Sequence, residues 1–320
     1  MVAAAGVAGC TGRGAGDGPL RIAFQAPAET VDINTWHGVT EYTDVETDVT
    51  VFEGVDLAVQ SVLSGEADIA RGSVTAAATL AETEEPFRFV AAPVRSTDYV
   101  LVTRPGIDSL EAIVEQDATI GMSAPTGLDA VQVAAVMLEA GVIDSADELN
   151  YQRVGYSGAR RSAIVEGEID VSPQHYAQWR SMREEADLNN LLAFGDSLPS
   201  WIQETFMLPP RTLEQRPDAV QSFLEGQLRA NRALYGDFEL YRSVVDRHVD
   251  GAPPASVLEP TYDFLTDIDI WPRNGGLTRE RVEYMLELTN RLGVTDERVP
   301  TDDILERGPL EDALEAVGRA

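Results

Sequence analysis

IAFQAP at residues 22–27 returns 98 residues later as IGMSAP at residues 120–125. A second pair of segments, SGEADI at 64–69 and EGEIDV at 166–171, follows in the same order. Each copy reads as a strand, an Ala-Pro loop, helical segments, a Gly-Glu pair and a second strand, which is a βα unit written twice. The repeat predicts two similar α/β lobes with a cleft between them.

The chain is strongly acidic. Its 320 residues include 54 Asp and Glu against 24 basic residues, for a net charge of −30, and none of the basic residues is lysine. Salt at ~1 M shortens the Debye length to about 3 Å and screens such repulsion, so we expect a halophilic protein from a haloarchaeon. The alternative is an acidic chain from a mesophile with a GC-rich genome. The charge argues against nucleic-acid binding, which needs a basic surface.

The single cysteine, Cys10, lies in a sequence typical of lipidation. Val7-Ala8-Gly9-Cys10 resembles a lipobox, and the glycine-rich residues 11–18 would tether a folded body to a membrane. Only nine residues precede Cys10, fewer than a secretory signal has. The alternatives are therefore a natural start further upstream or an incidental cysteine. No other apolar run reaches ~18 residues, so we do not expect the body to span the membrane.

The predicted organisation follows from the repeat and from a composition that is 44% hydrophobic, which suits two folded domains. The predicted segments are a signal remnant and tether at 1–18, the first part of lobe one at 19–95, lobe two at 96–197, and the rest of lobe one with C-terminal helices at 198–320. Strands are predicted at 20–24, 48–52, 68–70, 89–92, 99–103, 119–122, 151–154 and 169–172. Helices are predicted to begin near 55, 128, 159, 217 and 278.

Several phrases resemble a known family. They are LSGEADI at 63–69, GS at 72–73, PTG at 125–127, AIVEGEID at 163–170 and NGGLT at 274–278. In order and spacing they resemble the solute-binding proteins of ABC importers with the type 2 periplasmic-binding-protein fold, in the branch for nitrate, sulfonates, taurine and thiamine pyrimidine precursors. The resemblance implies an α/β protein of two lobes, each a mainly parallel sheet flanked by helices, that closes on a small solute.

The same resemblance implies the partners and the location. We expect a monomer on the outer face of the cell membrane that delivers its solute, anionic or a pyrimidine precursor, to ABC permease subunits. The alternative is an enzyme of the same fold, since fungal pyrimidine-precursor synthases share it. Those synthases carry a cysteine-rich motif, which a chain with Cys10 alone cannot supply. We therefore expect a binding protein without a cofactor.

Ligands of open α/β sheets bind beyond the carboxyl ends of the strands, which predicts a site in four loops at 25–27, 71–75, 123–127 and 173–176. Thr126 and Gly127 would offer free backbone N–H groups at a helix start, which suit an anion, and Arg71 is the best single cation. The predicted ligand-binding residues are Gln25, Ala26, Trp36, Arg71, Gly72, Ser73, Pro125, Thr126, Gly127, Gln174, His175 and Tyr176.

Each candidate has a structural alternative. Thr126 and Gly127 could simply cap a helix. Trp36, Tyr176 and Trp179 could pack within the lobes instead of stacking on a flat ligand. A metal role for His175 is disfavoured because the chain has three histidines and no His-x-x-His spacing. The acidic pairs beside Gly65 and Gly167 favour helix-end and strand-start roles over acid/base catalysis.

Overall fold

A computed structural model describes the chain at residues 18–52, 54–75, 87–125, 127–296 and 298–320. Two predicted functional residues, Cys10 and Thr126, lie outside the described residues. No helix in the described part of the chain is long and apolar enough to cross a membrane.

In the described ranges, ten strands form two sheets of five. The strands are β1 Leu20–Phe24, β2 Thr47–Val51, β3 Ile69–Gly72, β4 Arg88–Val94, β5 Tyr99–Thr103, β6 Ile120–Met122, β7 Tyr151–Arg153, β8 Val171–His175, β9 Asn189–Ala193 and β10 Glu204–Leu208. The first sheet has the order β2-β1-β3-β10-β4 and the second the order β7-β6-β8-β5-β9. The two orders correspond strand for strand, so the sequence repeat is also a structural repeat.

Each sheet contains one reversed strand. In the first sheet, β10 pairs antiparallel with both β3 and β4, whereas β1 pairs parallel with β2 and β3. In the second sheet, β5 pairs antiparallel with β8 and β9, and β6 pairs parallel with β7 and β8. Four of five strands in each sheet thus run in one direction, which confirms the predicted fold class. The reversed strand is the first one that the chain enters after crossing from the other sheet.

Helices flank both sheets. They are α1 Ile33–His37, α2 Val55–Leu63, α3 Leu110–Glu115, α4 Leu128–Glu139, α5 Ser157–Glu166, α6 Tyr176–Met182, α7 Phe194–Ser197, α8 Pro210–Gln215, α9 Pro217–Ala233, α10 Phe238–His248, α11 Ala255–Asp267, α12 Arg279–Arg291, α13 Thr301–Ile304 and α14 Gly308–Val317, with a π-helix at Gly38–Tyr42 and a 3-10 turn at Ala146–Glu148. We call the first sheet with α1, α2 and α8–α14 the first lobe, and the second sheet with α3–α7 the second lobe.

The repeated Gly-Glu phrases have the same structural role in both lobes. Gly65 and Gly167 follow α2 and α5 with φ of 80° and 77°, a left-handed conformation that glycine adopts without strain. Asp68 accepts a hydrogen bond from the N–H of Arg21 at 2.9 Å, and Asp170 accepts one from the N–H of Thr119 at 3.0 Å. These carboxylates tie the start of one strand to the next, as expected for a structural role.

The chain passes between the lobes twice, along two neighbouring segments. It leaves the first sheet after Val94 and returns to it at Glu204, and the N–H of Gln203 donates to the carbonyl of Val94 at 3.1 Å. A buried polar chain joins the two segments. Thr97 Oγ1 donates to Gln132 Oε1 at 2.6 Å, and Gln132 Nε2 donates to Gln203 Oε1 at 2.9 Å. The crossing segments are therefore fixed to each other and to α4.

Candidate functional site

The reversed strands bring acidic residues to the edges where the parallel strands end. β10 pairs with β3 so that Thr205 lies opposite Gly72, and β5 pairs with β8 so that Tyr99 lies opposite His175. Glu204 and Asp98 precede those two positions. Each sheet therefore presents, at its carboxyl edge, an acid that directly follows a crossing between the lobes.

In the first lobe this edge is built around Arg71, a fully buried side chain. Its Nη1 lies 2.7 Å from a carboxylate oxygen of Asp32 and donates to Thr35 Oγ1 at 2.9 Å. Its Nε lies 3.6 Å from Glu204 Oε2, and its guanidinium stacks on the ring of Phe24 at 4.3 Å. One buried cation thus lies within ion-pair distance of two buried carboxylates.

This imbalance changes the protonation of the first-lobe carboxylates. Burial raises the pKa of Glu204 to about 7, although the positive charge of Arg71 opposes the shift. Burial also raises the pKa of Asp32, again against the attraction of Arg71. Glu204 Oε2 is a buried oxygen without a hydrogen-bond partner. The first-lobe edge therefore holds more negative charge than its own arginine neutralises.

The predicted loop residues of the first lobe form hydrogen bonds or pack closely at this edge. Gln25 donates from Nε2 to Glu204 Oε1 at 3.1 Å, and its Oε1 accepts from the N–H of Ser73 at 3.2 Å. The carbonyl of Ala26 accepts from Arg71 at 3.5 Å. Gly72 has no room for a side chain, because an added Cβ would lie 2.6 Å from Val55 and 2.9 Å from Met207.

In the second lobe the matching pair is His175 and Asp98. The Nδ1 of His175 lies 2.9 and 3.0 Å from the two carboxylate oxygens of Asp98, which is fully buried. The ring of Tyr99 packs on the imidazole with centroids 4.3 Å apart. Burial disfavours the imidazolium, but the charge and hydrogen bond of Asp98 outweigh burial and raise the pKa of His175 to about 9. His175 is therefore positively charged at neutral pH.

A second buried pair in this lobe consists of Arg160 and Asp129, 2.9 Å apart. Arg160 also donates to the carbonyls of Gly155 at 2.9 Å and Pro173 at 3.3 Å. Asp129 accepts from the backbone N–H and the hydroxyl of Ser123 at 2.6 and 2.5 Å. Most polar atoms of this pair are thus satisfied within the lobe.

The predicted anion site at 123–127 needs a correction. The N–H of Gly127 is not free, because it donates to the carbonyl of Ala124 at 2.9 Å. A Cβ at Gly127 would lie 2.4 Å from Ser123 Oγ and 2.6 Å from an oxygen of Asp129. Gly127 therefore makes room for the bonds between Ser123 and Asp129, and Pro125 beside it is exposed.

The predicted role of Arg71 as the best single cation for an anion also needs a correction. An anion would have to displace Asp32 or Glu204, and both are buried beside it. The predicted loop at 173–176 is likewise different, because β8 extends through Pro173 to His175 and α6 begins at Tyr176. Only Val171 of β8 pairs with β6, so the ladder to β6 has ended before Pro173, which has no N–H to extend it.

The other predicted site residues lie in different places. Trp36 packs between Phe24 at 4.8 Å and His248 at 5.6 Å, within the first lobe. Gln174 is fully buried and donates to Ser172 Oγ at 2.8 Å. Tyr176 stacks on Phe264 at 4.1 Å, which joins α6 of the second lobe to α11 of the first. Of these three, Tyr176 lies at the interface between the lobes.

Charged groups of both lobes act on Glu29. It is half-buried, and its N–H donates to a carboxylate oxygen of Asp32 at 2.8 Å. Burial raises its pKa; the positive charges of His175 and Arg160 lower it, and the negative charges of Asp32 and Asp98 raise it. Because these groups belong to different lobes, Glu29 lies within electrostatic range of both. We call Glu29, Asp32, Arg71, Asp98, Asp129, Arg160, His175 and Glu204 the interface charge cluster.

Two concave features of the structure lie apart from the interface charge cluster. A small void lined by Ala92, Phe206 and Leu228 lies inside the first lobe, and a shallow depression lies beside Trp179 and Arg183. Neither is lined by a buried charged side chain. Buried charge, which is costly unless it is paired, is the better guide to function here. Among the described residues, no three His, Cys, Asp or Glu side chains are arranged to hold a metal ion.

Sequence reasoning missed several members of the cluster, namely Glu29, Asp32, Asp98, Asp129, Arg160 and Glu204. Asp98 and Glu204 carried a usable signal, because each is an acid at the start of an otherwise largely apolar strand. Such a residue is expensive to bury without a partner. Arg160 gave no comparable signal, since one arginine in an arginine-rich helix usually faces solvent.

Comparison with known proteins agrees with this architecture. A family model described as NMT1/THI5 like matches residues 42–237. No curated protein sequence matches the chain significantly.

Three solved structures illustrate the shared fold. The alkanesulfonate-binding protein SsuA from Xanthomonas axonopodis, bound to MOPS, has 14% identity and a TM-score of 0.73 over 92% of this chain and 99% of its own. The nitrate-binding protein NrtA from Synechocystis has 14% identity and a TM-score of 0.72 over 94% and 89%. The zinc-bound ligand-binding component of an ABC-type import system from Staphylococcus aureus has 15% identity and a TM-score of 0.71 over 92% and 98%.

Proposed function

The chain belongs to the NMT1/THI5-like family, and we propose that it is the extracytoplasmic solute-binding component of an ABC importer. Its two lobes would close on one small solute and deliver it to permease subunits of the importer. The observation that carries the proposal is the interface charge cluster, in which buried ionisable groups of both lobes meet at the carboxyl edges of both sheets. Sites in open α/β sheets form at these edges.

A ligand closes two lobes only if it binds the closed state better than the open one, so it has to contact both. In this proposal, Glu29 and Glu204 contact the solute from the first lobe, and His175 and Tyr176 contact it from the second. Gln25, Ala26 and Ser73 support the first-lobe contacts. The remaining sequence-predicted residues would shape the lobes around the solute.

The polar chain through Thr97, Gln132 and Gln203 suits a hinge in this mechanism. It fixes the two crossing segments to each other, so that rotation is confined to a few backbone positions beside them. Gly195 packs closely on the outgoing segment, since an added Cβ would lie 3.3 Å from Ser96 and 3.4 Å from the carbonyl of Thr97. A hinge of two neighbouring segments that run in opposite directions favours one closing motion over many.

We do not favour the synthase alternative. The structurally similar proteins named above are binding components, and a binding role needs no catalytic residue. A solute-binding protein is therefore the simpler proposal.

Ligand-induced stabilisation and closure test the proposed function together. We propose a thermal-shift screen of metabolites of all charge types in about 2 M salt, where surface repulsion is screened. A solute at 100 times its Kd should stabilise the fold by about 2.7 kcal/mol. Small-angle X-ray scattering should then show a smaller radius of gyration with that solute than without it. A complete screen without stabilisation or compaction would contradict the proposal.

Lipidation of Cys10 remains part of the proposal. The precursor expressed in its host should partition to the membrane fraction, and Cys10→Ser should release it. Equal membrane fractions of the two proteins would exclude the anchor. The halophilic proposal has its own test, which is loss of far-UV circular dichroism on dialysis to ~10 mM salt, where charges repel one another over about 30 Å.

A further inference from the structure

A pair of aromatic rings joins the two lobes beside the interface charge cluster. Tyr176, which directly follows His175 and begins α6 of the second lobe, stacks on Phe264 of α11 in the first lobe. The ring centroids lie 4.1 Å apart, and the ring planes are within 8° of parallel. Both side chains are half-buried, and the two helices that carry them pack against each other. The stack is therefore an ordered contact between the lobes.

Each ring also belongs to the apolar core of its own lobe. Phe264 packs against a first-lobe cluster that includes Trp271, and Tyr176 packs against a second-lobe cluster that includes Met182. Among the described residues, these two clusters have no member in common. Rotation of the lobes can therefore separate the two rings without opening either core.

The backbone fixes each ring to its lobe. The N–H of Tyr176 donates to the carbonyl of Asp98 at 3.1 Å, which ties the start of α6 to the start of β5. Helix α11 is fixed to the first lobe by buried residues that include Leu258 and Leu265, and Phe264 lies beside this buried face. Because each ring is held by its own lobe, the angle between the ring planes changes with the angle between the lobes. A near-parallel stack thus exists over a narrow range of lobe orientations.

Another contact between the lobes is of a different kind. Arg291 of α12 pairs with Glu139 of α4 at 2.8 Å, and both side chains are partly exposed to solvent. Solvent and salt weaken such an ion pair. The aromatic stack carries no charge, so salt does not screen it. Of these two contacts, the stack is the better suited to hold the lobes together.

On the basis of the proposed function, we propose that Phe264 is a positioning residue that acts through Tyr176, and that their stack favours the closed arrangement of the lobes before a solute binds. An aromatic pair can change the ratio of closed to open molecules about two- to tenfold. The apparent Kd of a solute is its intrinsic Kd divided by the fraction of binding-competent molecules. Phe264 thus sets the affinity without touching the solute.

The distance between the lobes tests this inference without any solute. Spin labels are attached to Gln60→Cys on α2 and Ser162→Cys on α5, two matching exposed positions, in a protein that also carries Cys10→Ser. Pulsed electron paramagnetic resonance then gives the distribution of distances between the labels. We expect Phe264→Ala to lower the ratio of short to long distances about two- to tenfold, because the stack is lost.

Two further variants separate the stack from general packing. Phe264→Tyr keeps a flat ring and should restore the wild-type ratio of distances. Phe238→Ala removes a half-buried ring of α10 that contacts Tyr241 and Tyr262 within the first lobe. It should lower the melting temperature and leave the ratio of distances unchanged. Phe264→Leu, which keeps an apolar side chain but no ring, serves if Phe264→Ala folds poorly.

The outcomes separate this inference from the proposed function. Equal ratios of distances in wild type and Phe264→Ala, or an equal change in Phe238→Ala, would overturn the role of Phe264. The proposed function would then still stand on stabilisation and compaction by a solute, which do not require the stack. An opened Phe264→Ala protein together with a metabolite screen that finds no solute would support the stack and contradict the proposed function.

Discussion

The two lobes use the same device, a buried arginine at the carboxyl edge of the sheet, with different partners. In the second lobe, Arg160 pairs with one carboxylate and binds two backbone carbonyls, while its Nη2 has no hydrogen-bond partner. In the first lobe, Arg71 lies between two carboxylates, and its Nε lies 3.6 Å from Glu204 Oε2, too far for a hydrogen bond. The difference indicates a structural clamp in the second lobe and a charged site in the first.

The two lobes share their strand order and turns, and they differ in their buried charges. The repeat gives both lobes the same strand order and the same Gly-Glu turn. What differs is the number of buried carboxylates for each arginine. Changing those carboxylates and their partners one at a time tests this difference between the lobes.

The largest effect should follow loss of the second-lobe clamp. Arg160→Met leaves Asp129 buried without its cation and two carbonyls without their donor, so we expect the free energy of unfolding to fall by about 3–5 kcal/mol. Chemical denaturation in high salt measures it. Arg153→Met, an exposed change on β7, is the matched control and should stay within about 0.5 kcal/mol of wild type. A loss for Arg160→Met no larger than that of the control would contradict the clamp.

The next effect is the pH dependence contributed by His175. Its folded pKa of about 9 lies above the ordinary 6.5, so its stabilisation is complete below pH 6.5 and is lost as pH rises through 9. We expect a loss of about 2–3 kcal/mol over that window. Asp98→Asn should remove most of the slope, because Asp98 is the cause that raises this pKa. Parallel stability curves for wild type and Asp98→Asn between pH 6.5 and 9 would show that the pair does not titrate as described.

The smallest effect is expected at the surplus carboxylate of the first lobe. The pKa of Glu204 is raised from 4.5 to about 7, so its ionisation opposes folding as pH rises across that range. Glu204→Gln should therefore flatten this part of the stability curve and should not destabilise the protein at pH 8, whereas Asp129→Asn should cost about 1.5–3 kcal/mol. Equal losses for these two variants would remove the distinction between the lobes.

The architecture could be predicted from the sequence because it depends on local patterns that occur twice. β5 was predicted at its observed bounds, and the turns at Gly65 and Gly167 were read correctly from glycine followed by an acid. The helices α10, α11 and α14 were missed. In α11, Pro260 inside the helix obscures the pattern, since proline normally ends helices.

The candidate site was less predictable because its properties come from contacts between distant segments. Arg71 reads as the best single cation in sequence, yet Asp32 and Glu204, the latter more than a hundred residues away, surround it. Strand β8 continues through Pro173 because it pairs antiparallel with β5, where Leu101 lies opposite Pro173, and sequence pattern does not reveal that pairing. Burial and partnership of charges are properties of the fold, and single-residue propensities do not contain them.

The central claim is that one solute is held by both lobes, and calorimetric titration of one variant from each lobe tests it most directly. The ligand is the solute that gives the largest thermal shift, and the variants are Glu29→Gln in the first lobe and His175→Gln in the second, each checked for folding by circular dichroism. The account predicts that each substitution weakens binding about tenfold or more, since each removes a charged contact. Wild-type affinity in either variant would mean that its lobe does not hold the solute at this cluster, and the claim would be wrong.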